Sequence, residues 1–249
     1  MHYGDSSLSS EHQAAYNRLR THPDELEVSS TLLGSGQYGY VWRGALWRRK
    51  SSNHAATNVA IKVLKTALTT GSGVVTADDS DREFDGLKER GLVQILLEAR
   101  IHASLQDENL VQLLGIQDEV QPVMLAMELC EAGDLRQVLK QRAKDVAIDL
   151  NLLQRRDMAA QSARGLAYLH QHLCLHRDVA ARNILLTARS RQVEDLPPCG
   201  YVLKLSDLGL TRVLREESDY YRVRRWGGGV ETGSGDTLYF TCPVVYSLF

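Results

Sequence analysis

The run His176-Arg-Asp178-Val-Ala-Ala-Arg182-Asn183 constrains this chain more than any other feature. It follows a segment of helical period, roughly Leu150 to His172, and precedes a short apolar strand, Ile184–Leu186. In the helical segment Leu153, Ala160, Ala163, Leu166, Ala167 and Leu169 form an apolar stripe predicted to face the core. An Asp and an Asn at this spacing serve two purposes on one loop. Asp178 can accept the proton of a hydroxyl, and Asn183 can ligate Mg²⁺. All eight positions suit one mechanism, so a chance match is improbable.

Four other patterns stand in a fixed order around that run, each with an ordinary structural reading beside the functional one. In Gly34-Ser-Gly36-Gln-Tyr-Gly39-Tyr-Val41 the glycines let backbone N–H groups approach phosphates, yet a glycine-rich strand turn is as often structural. No Gly-Lys-Ser/Thr follows, so it is not the Walker pattern. Lys62, closing Val59-Ala-Ile-Lys62, is either the first exposed residue after a strand or an ammonium placed to hold α- and β-phosphates. Glu98 is either a solvent-face carboxylate or the partner that fixes Lys62. Asp207-Leu-Gly209 is either a turn or a second Mg²⁺ ligand after a strand.

Periodicity supplies the layout. Residues 1–24 read as a polar lead-in without order. Residues 25–65 read as strands and 66–90 as a long polar loop. Residues 91–105 are helical, with Leu92, Ile95, Leu96, Ala99 and Leu105 at helical spacing. Strands follow at Leu110–Gln117 and Val123–Leu129, then a short helix with Asp134 at its N-cap. Val202–Leu205 is a last short strand. Strands first and helices after predict an α+β, two-lobed chain.

A formal net charge of −2 gives no reason to expect nucleic acid or an anionic membrane as partner. Cys130, Cys174, Cys199 and Cys242 match no zinc spacing and read as free thiols in a reducing compartment. No apolar stretch is long enough to span a membrane. The chain therefore reads as cytoplasmic, alone or as the cytoplasmic part of a membrane receptor.

Five motifs in this order resemble the protein kinase family, from about Glu25 to Arg225. Ala180-Ala181-Arg182 resembles its tyrosine-specific branch, and Asp219-Tyr220-Tyr221-Arg222 its receptor type. The resemblance implies a small antiparallel β lobe with one helix (25–129), a partial helical large lobe (130–225) and an atypical tail (226–249). It implies ATP and Mg²⁺ as cofactors and protein tyrosines as substrates, with another kinase as a further partner. Adenine would lie between Leu33, Val41, Ala60 and Leu185, beside Met127 as gatekeeper and the backbones of Glu128 and Cys130. Arg182 would help position substrate near Asp178, and Tyr220 and Tyr221 would accept phosphate.

The chain also departs from the family pattern. His102 replaces an apolar residue that links the lobes and needs a partner, or it weakens that link. Leu208 replaces the commoner Phe. No Ala-Pro-Glu follows Tyr221, and the expected helices of the large-lobe base are missing, which predicts an unstable or poorly active chain. Two alternatives to the tyrosine kinase reading follow: a catalytically dead module that binds nucleotide or another kinase, and a non-functional truncated product.

Overall fold

The computed structural model describes residues 10–35, 39–48, 55–64, 68–70, 73–75, 82–144, 150–188 and 199–213. Gly36, Tyr220, Tyr221, Cys242 and the residues 226–249 lie outside them.

Five strands make the first layer: β1 (Leu26–Ser35), β2 (Gly39–Trp47), β3 (Ala56–Leu64), β6 (Leu113–Gln117) and β7 (Met124–Glu128). Their order is β1-β2-β3-β7-β6, and every neighbouring pair is antiparallel. The β-branched and apolar run of β3 sits at the centre, with Val59, Ile61 and Val63 buried against Leu46 and Ala126. Helix α2 (Arg82–Ala103) covers the other face through Ile95 and Ala99, which meet Leu64, Leu113, Ile116, Val123 and Leu125.

The segment expected as a loop at 66–90 is structured at both ends. It holds a hairpin of β4 (Leu68–Thr70) and β5 (Gly73–Val75), and α2 begins at Arg82, nine residues before the expected start. Few apolar residues mark that first part of the helix, so period alone does not reveal it. The polar lead-in is also corrected. Ser10–Leu19 form helix α1, which buries Ala15 and Tyr16 against α2 and the sheet. Only two buried positions in ten leave the stretch polar in sequence.

The second layer contains α3 (Leu135–Lys144), α4 (Leu152–Gln171) and four short strands, β8 (Cys174–Leu175), β9 (Ile184–Ala188), β10 (Tyr201–Leu205) and β11 (Arg212–Val213). β9 pairs with β10 and β8 with β11, both antiparallel. Asp134 caps α3 as expected, its carboxylate accepting the Gln137 N–H at 2.8 Å. Asn151 and Gln154 close α4 with a capping box.

The buried face of α4 differs from the expected stripe. Met158, Gln161, Ser162, Gly165 and Leu169 face inward, while Leu153 is 64% exposed. Ala160, Ala163 and Ala167 are exposed as well. Close approach explains the choice. A Cβ on Gly165 would stand 2.7 Å from the Asn109 carbonyl oxygen, so the helix needs glycine there. Gln161 then acts as a surrogate strand for β10, accepting the Leu203 N–H at 2.9 Å and donating to the Tyr201 carbonyl at 3.1 Å. Small and polar residues make this contact, and a count of apolar residues overlooks them.

The two layers join at the connection after α2. Val111 N–H donates to the Leu205 carbonyl, and Leu205 N–H donates to the Asn109 carbonyl, both at 2.8 Å. This α+β, two-lobed arrangement is the one the motif order implied.

Candidate active site

β3 and α2 bring Lys62 and Glu98 together across the sheet. Lys62 Nζ lies 2.8 Å from each Glu98 carboxylate oxygen and 3.1 Å from Asp207 Oδ1. Glu98 is buried, with 4% of its side chain exposed, whereas Asp207 is 51% exposed. Burial alone would lower the Lys62 ammonium. The carboxylates of Glu98 and Asp207 overcome it and hold the group above its ordinary value. The solvent-face reading of Glu98 is therefore excluded.

Asp207 reaches this position through a left-handed backbone conformation, with φ of 62°. An Asp tolerates that region better than most residues do. Gly209 follows closely, since a Cβ there would lie 3.1 Å from Glu98 Oε2 and 3.2 Å from Asp207 Oδ1. Leu208 is buried in the large-lobe core in the place where Phe is commoner.

The loop between β8 and β9 is tied to the same spot. Arg182 donates to Asp178 Oδ1 at 2.6 Å, and Asn183 Nδ2 donates to Asp178 Oδ2 and to its carbonyl, both at 2.8 Å. The Asp178 N–H donates to His176 Nδ1, so Nε2 carries the proton and bonds the Ser206 carbonyl at 3.0 Å. Burial lowers the His176 pKa, in keeping with a neutral ring. Ser206 in turn donates its N–H to the Asn183 carbonyl at 2.8 Å. One loop and the residues before Asp207 thus form one hydrogen-bonded unit.

Strand register links several of the residues expected around adenine. Gly34 pairs with Val41, Val41 with Lys62, and Ala60 with Met127. Glu128 pairs with Val59 at the end of β7, and Cys130 follows, half-buried, with its thiol pushed up to about 12 by burial and by Glu128. Leu185 bridges Asp134, because β9 runs beside residues 132–134, with Leu186 N–H donating to the Gly133 carbonyl at 2.9 Å. Leu33 is 44% exposed on β1. Gly39 is required: a Cβ there would sit 2.4 Å from the Val63 carbonyl oxygen.

His102 has the partner it was expected to need. Its ring is buried, Nε2 lies 2.6 Å from the Val111 carbonyl oxygen, and burial lowers its pKa to about 4. Nδ1 has no hydrogen-bond partner. Two further contacts escaped sequence reasoning. Gln94, one helical turn before Glu98, donates its side-chain amide to the Gly209 carbonyl. Buried Lys204 reaches Glu128 Oε2 at 3.0 Å and the Glu108 carbonyl at 2.9 Å. The i, i+4 spacing of Gln94 and Glu98 is the signal that marks the first; nothing local marks the second.

A lysine paired to a helix carboxylate, an aspartate bonded by Arg and Asn, and a second aspartate facing the lysine form a phosphate-handling constellation. A model for the protein tyrosine and serine/threonine kinase family matches residues 84–229, more than half of the chain. The chain belongs to that family.

The kinase is 30% identical over 203 residues to the tyrosine-protein kinase Btk of Drosophila melanogaster, covering 82% of this chain and 20% of that one. It is 33% identical over 193 residues to the human tyrosine-protein kinase FRK, covering 77% of this chain and 30% of that one. It is 30% identical over 205 residues to the insulin-like growth factor 1 receptor of Xenopus laevis, covering 80% and 13%. These matches place it in the tyrosine kinase branch. Relatives named as receptors and relatives not so named match at similar identity, so the receptor-type feature at residues 219–222 is not singled out. The kinase spans at most 30% of the length of these three relatives.

Proposed function

We propose that this chain transfers the γ-phosphoryl group of ATP to tyrosine hydroxyls of proteins, with 25–129 as its small lobe and 130–225 as the large-lobe part. The observation that carries this reading is the simultaneous presence of the Lys62–Glu98–Asp207 cluster and the Asp178–Arg182–Asn183 loop. Phosphoryl transfer proceeds through a loose transition state, so positioning and charge stabilisation supply most of the catalysis.

In this reading Lys62, fixed by Glu98, holds the α- and β-phosphates. The glycine-rich stretch from Gly34 to Gly39 is the proposed phosphate-binding segment. Leu33, Val41, Ala60 and Leu185 enclose adenine beside Met127, Glu128 and Cys130. Asp178 takes the tyrosine proton, and Arg182 keeps its carboxylate oriented toward the substrate. Asn183 and Asp207 offer an amide and a carboxylate oxygen, the hard donors that suit Mg²⁺ alongside phosphate oxygens and water. When bound, the ion neutralises charge on the phosphate oxygens.

No helix among the described residues is long and apolar enough to cross a membrane. We place the domain in the cytoplasm, where ATP and reduced thiols coexist. Tyr220 and Tyr221 are the proposed acceptor sites on the chain itself.

Initial rates with Mg·ATP and a tyrosine peptide test the reading. Asp178→Asn lowers kcat by about 10²–10⁴, the usual contribution of a positioned base, and leaves nucleotide binding intact. Equal rates for Asp178→Asn and the unaltered chain would contradict it. Nucleotide binding with no transfer by the unaltered chain would favour the non-catalytic module.

A further inference from the structure

Helix α1 lies outside the residues matched by the family model, and the catalytic roles above do not involve it. A ten-residue helix is marginal on its own in water, so docking is what maintains it. The docking is built on both sides. On the sheet side, Thr21 N–H donates to the Ile116 carbonyl at 2.8 Å, and Arg20 bridges to Ile116 in parallel register. The fit there is close, because a Cβ on Gly115 would lie 2.7 Å from Thr21 Oγ1. On the helix side, the Tyr16 ring joins the cluster that contains Ile95 and Ala99 of α2, with the Arg100 guanidinium 5.9 Å from its centroid.

The Tyr16 hydroxyl locks the two sides together. It donates to Asp118 Oδ2 at 2.6 Å, and Arg20 Nε donates to Asp118 Oδ1 at 2.9 Å. Asp118 stands in the turn between β6 and β7. Burial, then the bond to Asp118, raises the Tyr16 pKa, so the hydroxyl stays a neutral donor. Tyr16 is 5% exposed. Ile95 and Ala99, which share its core cluster, flank Glu98 on the same helix.

We propose that Tyr16, pinned by Asp118, is a positioning residue that holds α2 against the sheet and so keeps Glu98 on Lys62. α1 is a strut: anchored to β6 through Arg20 and Thr21, it offers α2 a fixed surface. The register of Glu98 against Lys62 follows from where α2 rests. The proposal extends the kinase reading by assigning part of the active geometry to residues before the sheet.

Hydrogen exchange of the α2 amides in the full chain tests this without relying on activity. Tyr16→Phe keeps the ring and loses the donor. Its α2 amides around Ile95–His102 should exchange roughly tenfold faster, the factor expected when a hydrogen bond to a charged acceptor is lost. Asp118→Asn should do the same, and the double variant should exchange no faster than Asp118→Asn alone. In transfer assays kcat should fall several-fold while the peptide KM holds. If the unaltered chain transfers no phosphate, the exchange result still decides the strut. Unchanged α2 exchange in both single variants overturns the proposal. So does faster exchange confined to α1, or a double variant whose effect is the product of the two singles.

Discussion

His102 shows how one substitution changes the acid behaviour of a fold. Its ring is buried and neutral, with a pKa lowered to about 4 from 6.5, chiefly by burial. In the unfolded chain the same ring takes up its proton near 6.5. The stabilisation from keeping it neutral is therefore fully present above that pH and is lost as pH falls toward 4. The shift corresponds to about 3 kcal/mol. His102→Leu should flatten the loss of stability between pH 6.5 and 4, read from urea melts at each pH. A His102→Leu variant with the same acid slope would assign that loss elsewhere, His176 being the other buried histidine among the described residues.

At this scale the sequence was informative wherever chemistry restricts residue type. Lys62, Glu98 and Asp207 meet in one cluster and Asp178, Arg182 and Asn183 in another, joined through Ser206. Gln94, Lys204 and Tyr16 could not be found that way. Each bonds a backbone carbonyl or a distant carboxylate, and many residue types can satisfy such a partner.

Among the elements, α4 tests close packing against propensity. Replacing an interior glycine by alanine favours a helix by about 1 kcal/mol. At Gly165 the new Cβ would meet the Asn109 carbonyl oxygen at 2.7 Å and Leu205 Cδ1 at 3.0 Å. Overpacking of this kind costs about 1–3 kcal/mol, and backbone atoms cannot move aside as a side-chain tip can. Gly165→Ala should lower stability by about 1 kcal/mol in a denaturant melt. A gain would mean that α4 shifts freely away from residue 109.

The same helix explains why its buried face was misjudged. Leu152 and Leu153 are 61% and 64% exposed, while Gln161 and Ser162 are buried. Hydrophobic period locates a helix well, but its orientation was set here by a glycine contact and by an amide that completes a strand edge. For α1 the reason is different. Two buried residues cannot raise a ten-residue stretch above a polar background, and only the tertiary partner shows why it is helical.

Over the whole molecule, the site depends on parts distant in sequence being held at once. Lys62 comes from the central strand of the sheet, Glu98 from the helix behind it, and Asp178 and Asp207 from the large lobe. The lobes are joined by the backbone pairing of residues 109–111 with Leu205, two positions before Asp207. The central claim is that this cleft, as folded, grips the phosphates of Mg·ATP through Lys62. Thermal unfolding of the full chain with and without Mg·ATP at about 100 times Kd measures it, because a site of this kind stabilises the fold by about 2.7 kcal/mol under those conditions. The account predicts a clear upward shift for the unaltered chain and for Asp178→Asn, and its loss in Lys62→Ala. A shift that survives in Lys62→Ala, or none in a chain that melts cooperatively, would contradict it.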